Sequence, residues 1–107
     1  MAKYLIKATY SAEGAKGVLK EGGTGRKDVV SRAVGELGGK LESFYFAFGE
    51  HDAYVTCDMP DNVSAAAVSL AVNAAGGAKT TTVVLMTPEE VDQATKKGVS
   101  AYRPPGG

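Results

Sequence analysis

The stretch Leu41-Glu-Ser-Phe-Tyr-Phe-Ala-Phe-Gly-Glu-His-Asp-Ala-Tyr-Val-Thr-Cys-Asp-Met59 decides the fold. It reads as two strands joined by a tight turn. In the first half, Phe44, Phe46 and Phe48 alternate with Leu41, Ser43, Tyr45 and Ala47, so a strand over 41–48 carries apolar side chains on both faces. In the second half, Ala53, Val55, Cys57 and Met59 alternate with Asp52, Tyr54, Thr56 and Asp58, the pattern of a strand with one buried face. Gly49-Glu50-His51 between them is short enough only for a hairpin, so the two strands run antiparallel and adjacent.

Outward from the hairpin, Lys3 to Tyr10 alternates as another strand, with Tyr4, Ile6, Ala8 and Tyr10 on one face. Ser11 caps a short helix through Leu19, which Gly22-Gly23 interrupts. Thr24 or Asp28 opens a second helical piece, whose Val29, Val30, Ala33, Val34 and Leu37 form a stripe for packing on a sheet before Gly38-Gly39 ends it. After the hairpin, Asp61 or Asn62 caps a helix with Val63, Ala66, Ala67, Leu70, Ala71 and Ala74 on one side, stopped by Gly76-Gly77. Lys79 to Met86, rich in Thr and Val, is the fourth strand. Thr87-Pro-Glu-Glu90 is a capping box with proline at the first helical position, so a short helix should run to about Lys97. Residues 98–107, ending Tyr102-Arg-Pro-Pro-Gly-Gly107, read as an extended tail.

The order predicts an α+β, ferredoxin-like split βαββαβ sandwich: a four-stranded antiparallel sheet with helices on one face, then a short C-terminal helix and tail. The 107 residues make one domain, large enough to bury a core without staples. Helices cover one side only, and the other side of the sheet is expected to be covered by a second copy of the chain. The expected partner is therefore itself, in a homodimer or higher homo-oligomer.

Twelve basic and twelve acidic residues cancel, with an excess of bases in 1–40 and of acids in 41–95. That balance argues against a nucleic-acid surface. No run reaches the length of a membrane span, and the first residues lack the apolar run of a secretory signal, so a cytoplasmic protein is expected. Cys57 is the only cysteine; in an apolar strand pattern it reads as a buried small hydrophobe. One histidine and scattered acids lack metal-ligand spacing, so neither a metal nor another cofactor is expected.

Several ordered segments carry a family likeness. Tyr10-Ser-Ala-Glu-Gly14, Leu37-Gly-Gly-Lys-Leu41, Phe44-Tyr45, Gly49-Glu-His-Asp-Ala-Tyr-Val55, Pro60-Asp61 and Tyr102-Arg-Pro-Pro105 together resemble the GYD domain family. The resemblance spans nearly the whole chain and implies a ferredoxin-like domain of the dimeric α/β barrel kind. It implies a fold rather than a reaction. Gly49 and Asp52 match the Gly-Tyr-Asp signature, and His51 stands where the tyrosine is expected.

Two functions are open at this point. One is a small-ligand binding domain, with a cavity between sheet and helices or at the subunit interface, lined from Tyr4, Lys7, Tyr10, Tyr45, His51 and Asp52. The other, suggested by the resemblance, is a cofactor-independent dimeric-barrel enzyme of the isomerase or monooxygenase type, with His51 or Asp52 transferring protons. Adjacent strand residues point to opposite faces, so His51 and Asp52 do not form a dyad. Asp52 after a tight turn also fits a plain backbone-capping role, and the tyrosines fit core packing with their hydroxyls at the rim. Arg26 and Lys27, in the glycine-rich Gly22–Asp28 joint, are weak candidates for binding an anion. The spacing there matches neither the Walker nor the dinucleotide fingerprint, and a flexible joint explains the glycines as well.

Overall fold

The computed structural model describes all 107 residues. Seven elements follow one another: β1 (Ala2–Tyr10), α1 (Ala12–Glu36), β2 (Lys40–Phe46), β3 (Ala53–Met59), α2 (Asn62–Ala75), β4 (Ala78–Leu85) and α3 (Pro88–Lys97). The strands form one antiparallel sheet in the order β2-β3-β1-β4. This is the split βαββαβ arrangement, α+β in class. No helix is long and apolar enough to cross a membrane.

Local chemistry places the boundaries. Ser11 Oγ accepts from the Gly14 amide at 3.1 Å, capping α1, and donates to the Gly76 carbonyl at 2.8 Å. The Ser11 amide donates to Gly77 O at 2.9 Å, so the start of α1 is tied to the α2–β4 turn. Asp61 accepts from Ser64 N at 2.8 Å to cap α2. Thr87 and Glu90 form the reciprocal capping box of α3 behind Pro88. Gly22 has φ +79 and breaks α1 into two helical pieces, the joint expected at the glycine-rich stretch; a side chain there would be strained.

The β2–β3 hairpin departs from simple alternation. Leu41 pairs with Cys57 and Ser43 with Thr56, so the ladder is bulged at Glu42. The extra residue turns Leu41 to the same face as Phe44 and Phe46, while Lys40, Ser43 and Tyr45 take the opposite one. Strand β2 is therefore not apolar on both faces, as the alternation suggested, and it ends at Phe46, leaving Phe48 fully exposed in the loop.

The face under the helices is the apolar one. Tyr4, Ile6, Val55, Cys57 and Met59 are buried there against Val34 of α1 and Ala65 and Val68 of α2. Burial pushes the Cys57 thiol above its usual range, followed by the charge of nearby Asp58, so it stays protonated and inert. The opposite face has no helix. It carries an ion cluster in which Lys3 pairs with Glu42 and, at 3.0 Å, with Asp58. These carboxylates hold the Lys3 ammonium above its ordinary pKa.

Helix α3 leaves the body of the domain. None of its residues is buried, and Val91, Val99 and Tyr102 are exposed. The molecule measures 56 × 33 × 22 Å with a radius of gyration of 17.0 Å, against about 13 Å for a globule of this length. The excess length reflects this C-terminal arm.

Candidate functional site

Rows across the helix face of the sheet show where the interior is filled. Leu41, Cys57, Tyr4 and Val84 form one row, and Phe44, Val55, Ile6 and Thr82 the next. The third row is Phe46, Ala53, Ala8 and Thr80, followed on β4 by Ala78 beside Tyr10. Side chains thus shrink toward the end of the sheet where β1 meets α1. Above that end, the first half of α1 offers Gly14 and Gly17, which have nothing to reach down with. A cavity of about 560 Å³ remains between them.

Its floor is Ile6, Ala8, Ala53 and Val55, and α2 supplies Val68 and Val72 as one wall. The closed rim depends on Gly14. A Cβ there would fall 1.8 Å from the Gly77 carbonyl oxygen, so α1 and the α2–β4 turn touch backbone to backbone. Gly17, by contrast, has open space where a Cβ would stand.

Few polar groups enter. Ser69 Oγ and Thr80 are largely engaged with neighbours: Ser69 bonds Thr82 at 2.8 Å, and Thr80 meets Asn73 through its amide at 2.9 Å and its hydroxyl at 3.2 Å. At the mouth stand Tyr10, Glu21 and Arg26. The Arg26 guanidinium donates to Glu21 Oε1 at 3.4 Å, its one hydrogen-bond partner, and its side chain is 30% exposed. Burial pushes the Tyr10 phenol above its usual pKa, more than the Arg26 charge pulls it back, so it remains a hydroxyl at neutral pH. Its ring packs on Phe46 with centroids 6.4 Å apart.

The candidates named from the sequence separate onto different surfaces. Tyr10 and Arg26 both line the cavity. Tyr4 lies on the same face but at the packed end, 1% exposed, with its hydroxyl bonded to Asn62. Lys7 and Tyr45 are on the opposite face, each across from Tyr54 in the ladder. His51 is at that face too: its Nδ1 lies 3.2 Å from Thr9 Oγ1 and its ring meets Tyr54 edge-on at 5.9 Å. Asp52 clips the hairpin to β1, accepting from Tyr10 N through its carboxylate at 2.8 Å, while its amide donates to Ala8 O at 2.8 Å. Lys27 is exposed on α1, outside the cavity lining.

What the cavity adds is Glu21 and a set of small residues. The signal was in the sequence as absence: Ala8, Ala53 and Ala78 on strands, facing Gly14 and Gly17 on a helix. No three metal-ligating acids, histidines or cysteines gather anywhere in the fold.

Comparison with known proteins bears on the family. Neither curated proteins nor solved structures give a match. The GYD domain family model matches residues 4–95, from the first buried tyrosine of β1 into α3. That span takes in β1 from Tyr4 onward, the other three strands, both sheet-packed helices and the hairpin with its Gly49 and Asp52, so the chain belongs to the GYD domain family.

Proposed function

We propose that the domain binds a small, mostly apolar organic molecule in the cavity between the sheet and the first half of α1. The observation that carries this is the hollow end of the core. Protein interiors are close-packed, with voids rarely larger than a water, yet here about 560 Å³ stays open under two glycines and over a row of alanines. That volume falls within the range of ligand pockets for drug-sized molecules, about 300–1,000 Å³. No observation favours a catalytic reading through His51 or Asp52, whose side chains lie off the cavity lining.

A thermal-shift screen of small metabolites tests the proposal. A ligand at a hundred times its Kd stabilises by about 2.7 kcal/mol, a clear shift of the midpoint. Ala8→Phe, which drives a ring into the cavity from its floor, should abolish every such shift while the variant stays folded. Hits that survive Ala8→Phe would refute the cavity as their site.

The partner we assign to the helix-free face is a second copy of the chain. Two uncovered surfaces support this. Leu5, Val83 and Leu85 lie half-buried on that face, with exposed Tyr45 on its β2 edge, and no residue of α3 is buried. A ten-residue helix alone in water is marginal, and a neighbouring copy supplies cover for both surfaces. Charge agrees with that choice, since Lys7 and Lys79 on the open face pair with no acid, while Glu89 and Asp92 of α3 pair with no base. Light scattering at micromolar concentration should return twice the chain mass or more, and the mass of one chain would refute it. A single buried thiol with no second cysteine suits a reducing compartment, so we read the protein as cytoplasmic.

A further inference from the structure

We infer that the ligand is an organic anion, a carboxylate whose apolar body lies over Ala8 and Ala53 while Arg26 and Tyr10 hold its charged end. The inference rests on the cavity reading and names the ligand class for that site.

The mouth of the cavity is rich in unused donors. A guanidinium carries five N–H groups in a planar fork. Arg26 spends one of them, on Glu21 at 3.4 Å, which is at the long end of hydrogen bonding. Its side chain is 30% exposed, so the remaining donors are partly desolvated and gain from an acceptor. Tyr10, half-buried beside it, is held as a neutral hydroxyl and gives a second donor; its backbone amide is already committed to Asp52. A carboxylate meets the guanidinium fork with two parallel bonds.

The acids at the rim do not reverse this. Glu13 is 84% exposed and turned to Lys16, 3.7 Å away in the solvent. Glu21 is 37% exposed, with room to swing into solvent, and its long contact is the one a ligand carboxylate replaces. A cationic ligand would have to enter past Arg26, and a neutral one would leave the donors without a charged acceptor. The rest of the lining, Ile6, Val30, Phe44, Val55, Val68 and Val72, asks only for an apolar body.

Isothermal titration calorimetry on the full chain separates these cases with two series of probes. One is flat: 2-naphthoate, 2-naphthamide and 2-naphthylmethylammonium. The other is chain-like: decanoate, decanamide and decylammonium. In at least one series the acid should bind about ten to a hundred times more tightly than its amide, the range expected for charge-assisted bonds, and the amine should bind most weakly. Arg26→Gln should bring acid and amide within about threefold of each other. Arg26→Lys, which keeps the charge but loses the fork, should retain part of the preference and guards against a folding defect in the first variant. Amides or amines that bind as tightly as the acids overturn the inference, as does an acid preference that survives Arg26→Gln. If neutral molecules alone stabilise the protein in the thermal screen, the cavity reading stands and this inference falls by itself. If no probe and no metabolite binds, both fall together.

Discussion

The two ends of one sheet face are built by opposite rules. At the packed end, Tyr4, Cys57 and Met59 rise from β1 and β3 into Val34 of α1, and all four are at most 1% exposed. At the hollow end, about 13–20 Å along the same strands by the rise of about 3.3 Å per residue, Ala8 and Ala53 lie under Gly14 and Gly17 with space between. One helix spans both ends, bent at Gly22 between them. The piece after the kink contributes the buried Val34, and the piece before it contributes no buried side chain. Stability is thus concentrated at one end and room at the other, a division of labour that suits a binding domain whose rigid half holds an open half in shape.

Substitutions at the two ends should therefore behave differently. Met59→Ala removes a fully buried side chain from the packed end and should lower stability most, by about 3 kcal/mol in denaturant unfolding. Gly14→Ala strikes the closed rim, where the new Cβ meets the Gly77 carbonyl; a loss of about 2 kcal/mol is expected, with weaker ligand binding as the rim opens. Ala8→Phe adds far more volume, yet it enters empty space, so its effect should stay below about 1 kcal/mol, where a packed core loses about 1–3 kcal/mol to the added atoms. Gly17→Ala should stabilise, by about 0.5–1 kcal/mol, because a helix gains from alanine and nothing obstructs the methyl. A Gly17→Ala variant less stable than wild type, or an Ala8→Phe variant as damaged as Met59→Ala, would erase the contrast between the ends.

The helix caps extend the comparison to pH. Ser11 opens α1 with a neutral hydroxyl, whereas Asp61 opens α2 with a carboxylate that its bonds to Ser64 hold below the usual aspartate range. Because the folded pKa is depressed, the stabilisation is complete above the unfolded value, near 3.8, and fades as pH falls through the lower folded value. Thermal melts from pH 5 downward should show this loss in wild type and not in Asp61→Asn, whose amide cap does not titrate. Lys3 has the opposite sign: its raised pKa gives stability that is complete below 10.5 and is lost only as pH rises through the folded value.

The succession of elements along the chain, the hairpin and the helix starts were legible in the sequence because local chemistry dictates them: Ser11, Asp61 (which the sequence left open against Asn62) and the Thr87-Pro88-Glu90 box all cap helices as their types require. The kink at Gly22-Gly23 was equally readable. The bulge at Glu42 was not, since alternation counts residues and cannot tell where a ladder skips one. The site was harder still. Polar side chains cluster at the hairpin, but Lys7, Tyr45 and His51 face away from Tyr10, and the Asp52 carboxylate is occupied by the Tyr10 amide. A cavity is made by what side chains lack, and alanines and glycines on separate elements show their meaning only once the fold sets them opposite one another. Arg26 was found from the sequence for its charge beside glycines, and its placement at the mouth joins it to Tyr10, sixteen positions earlier.

The most direct test of the account is an amide NMR titration of labelled protein with 2-naphthoate or decanoate, whichever binds more tightly. Perturbations gathered on Ile6, Ala8, Tyr10, Arg26 and Val68, with Leu5, Tyr54 and Val83 unmoved, are the predicted result. Shifts centred on Leu5, Tyr54 and Val83 would put the ligand on the helix-free face and contradict it.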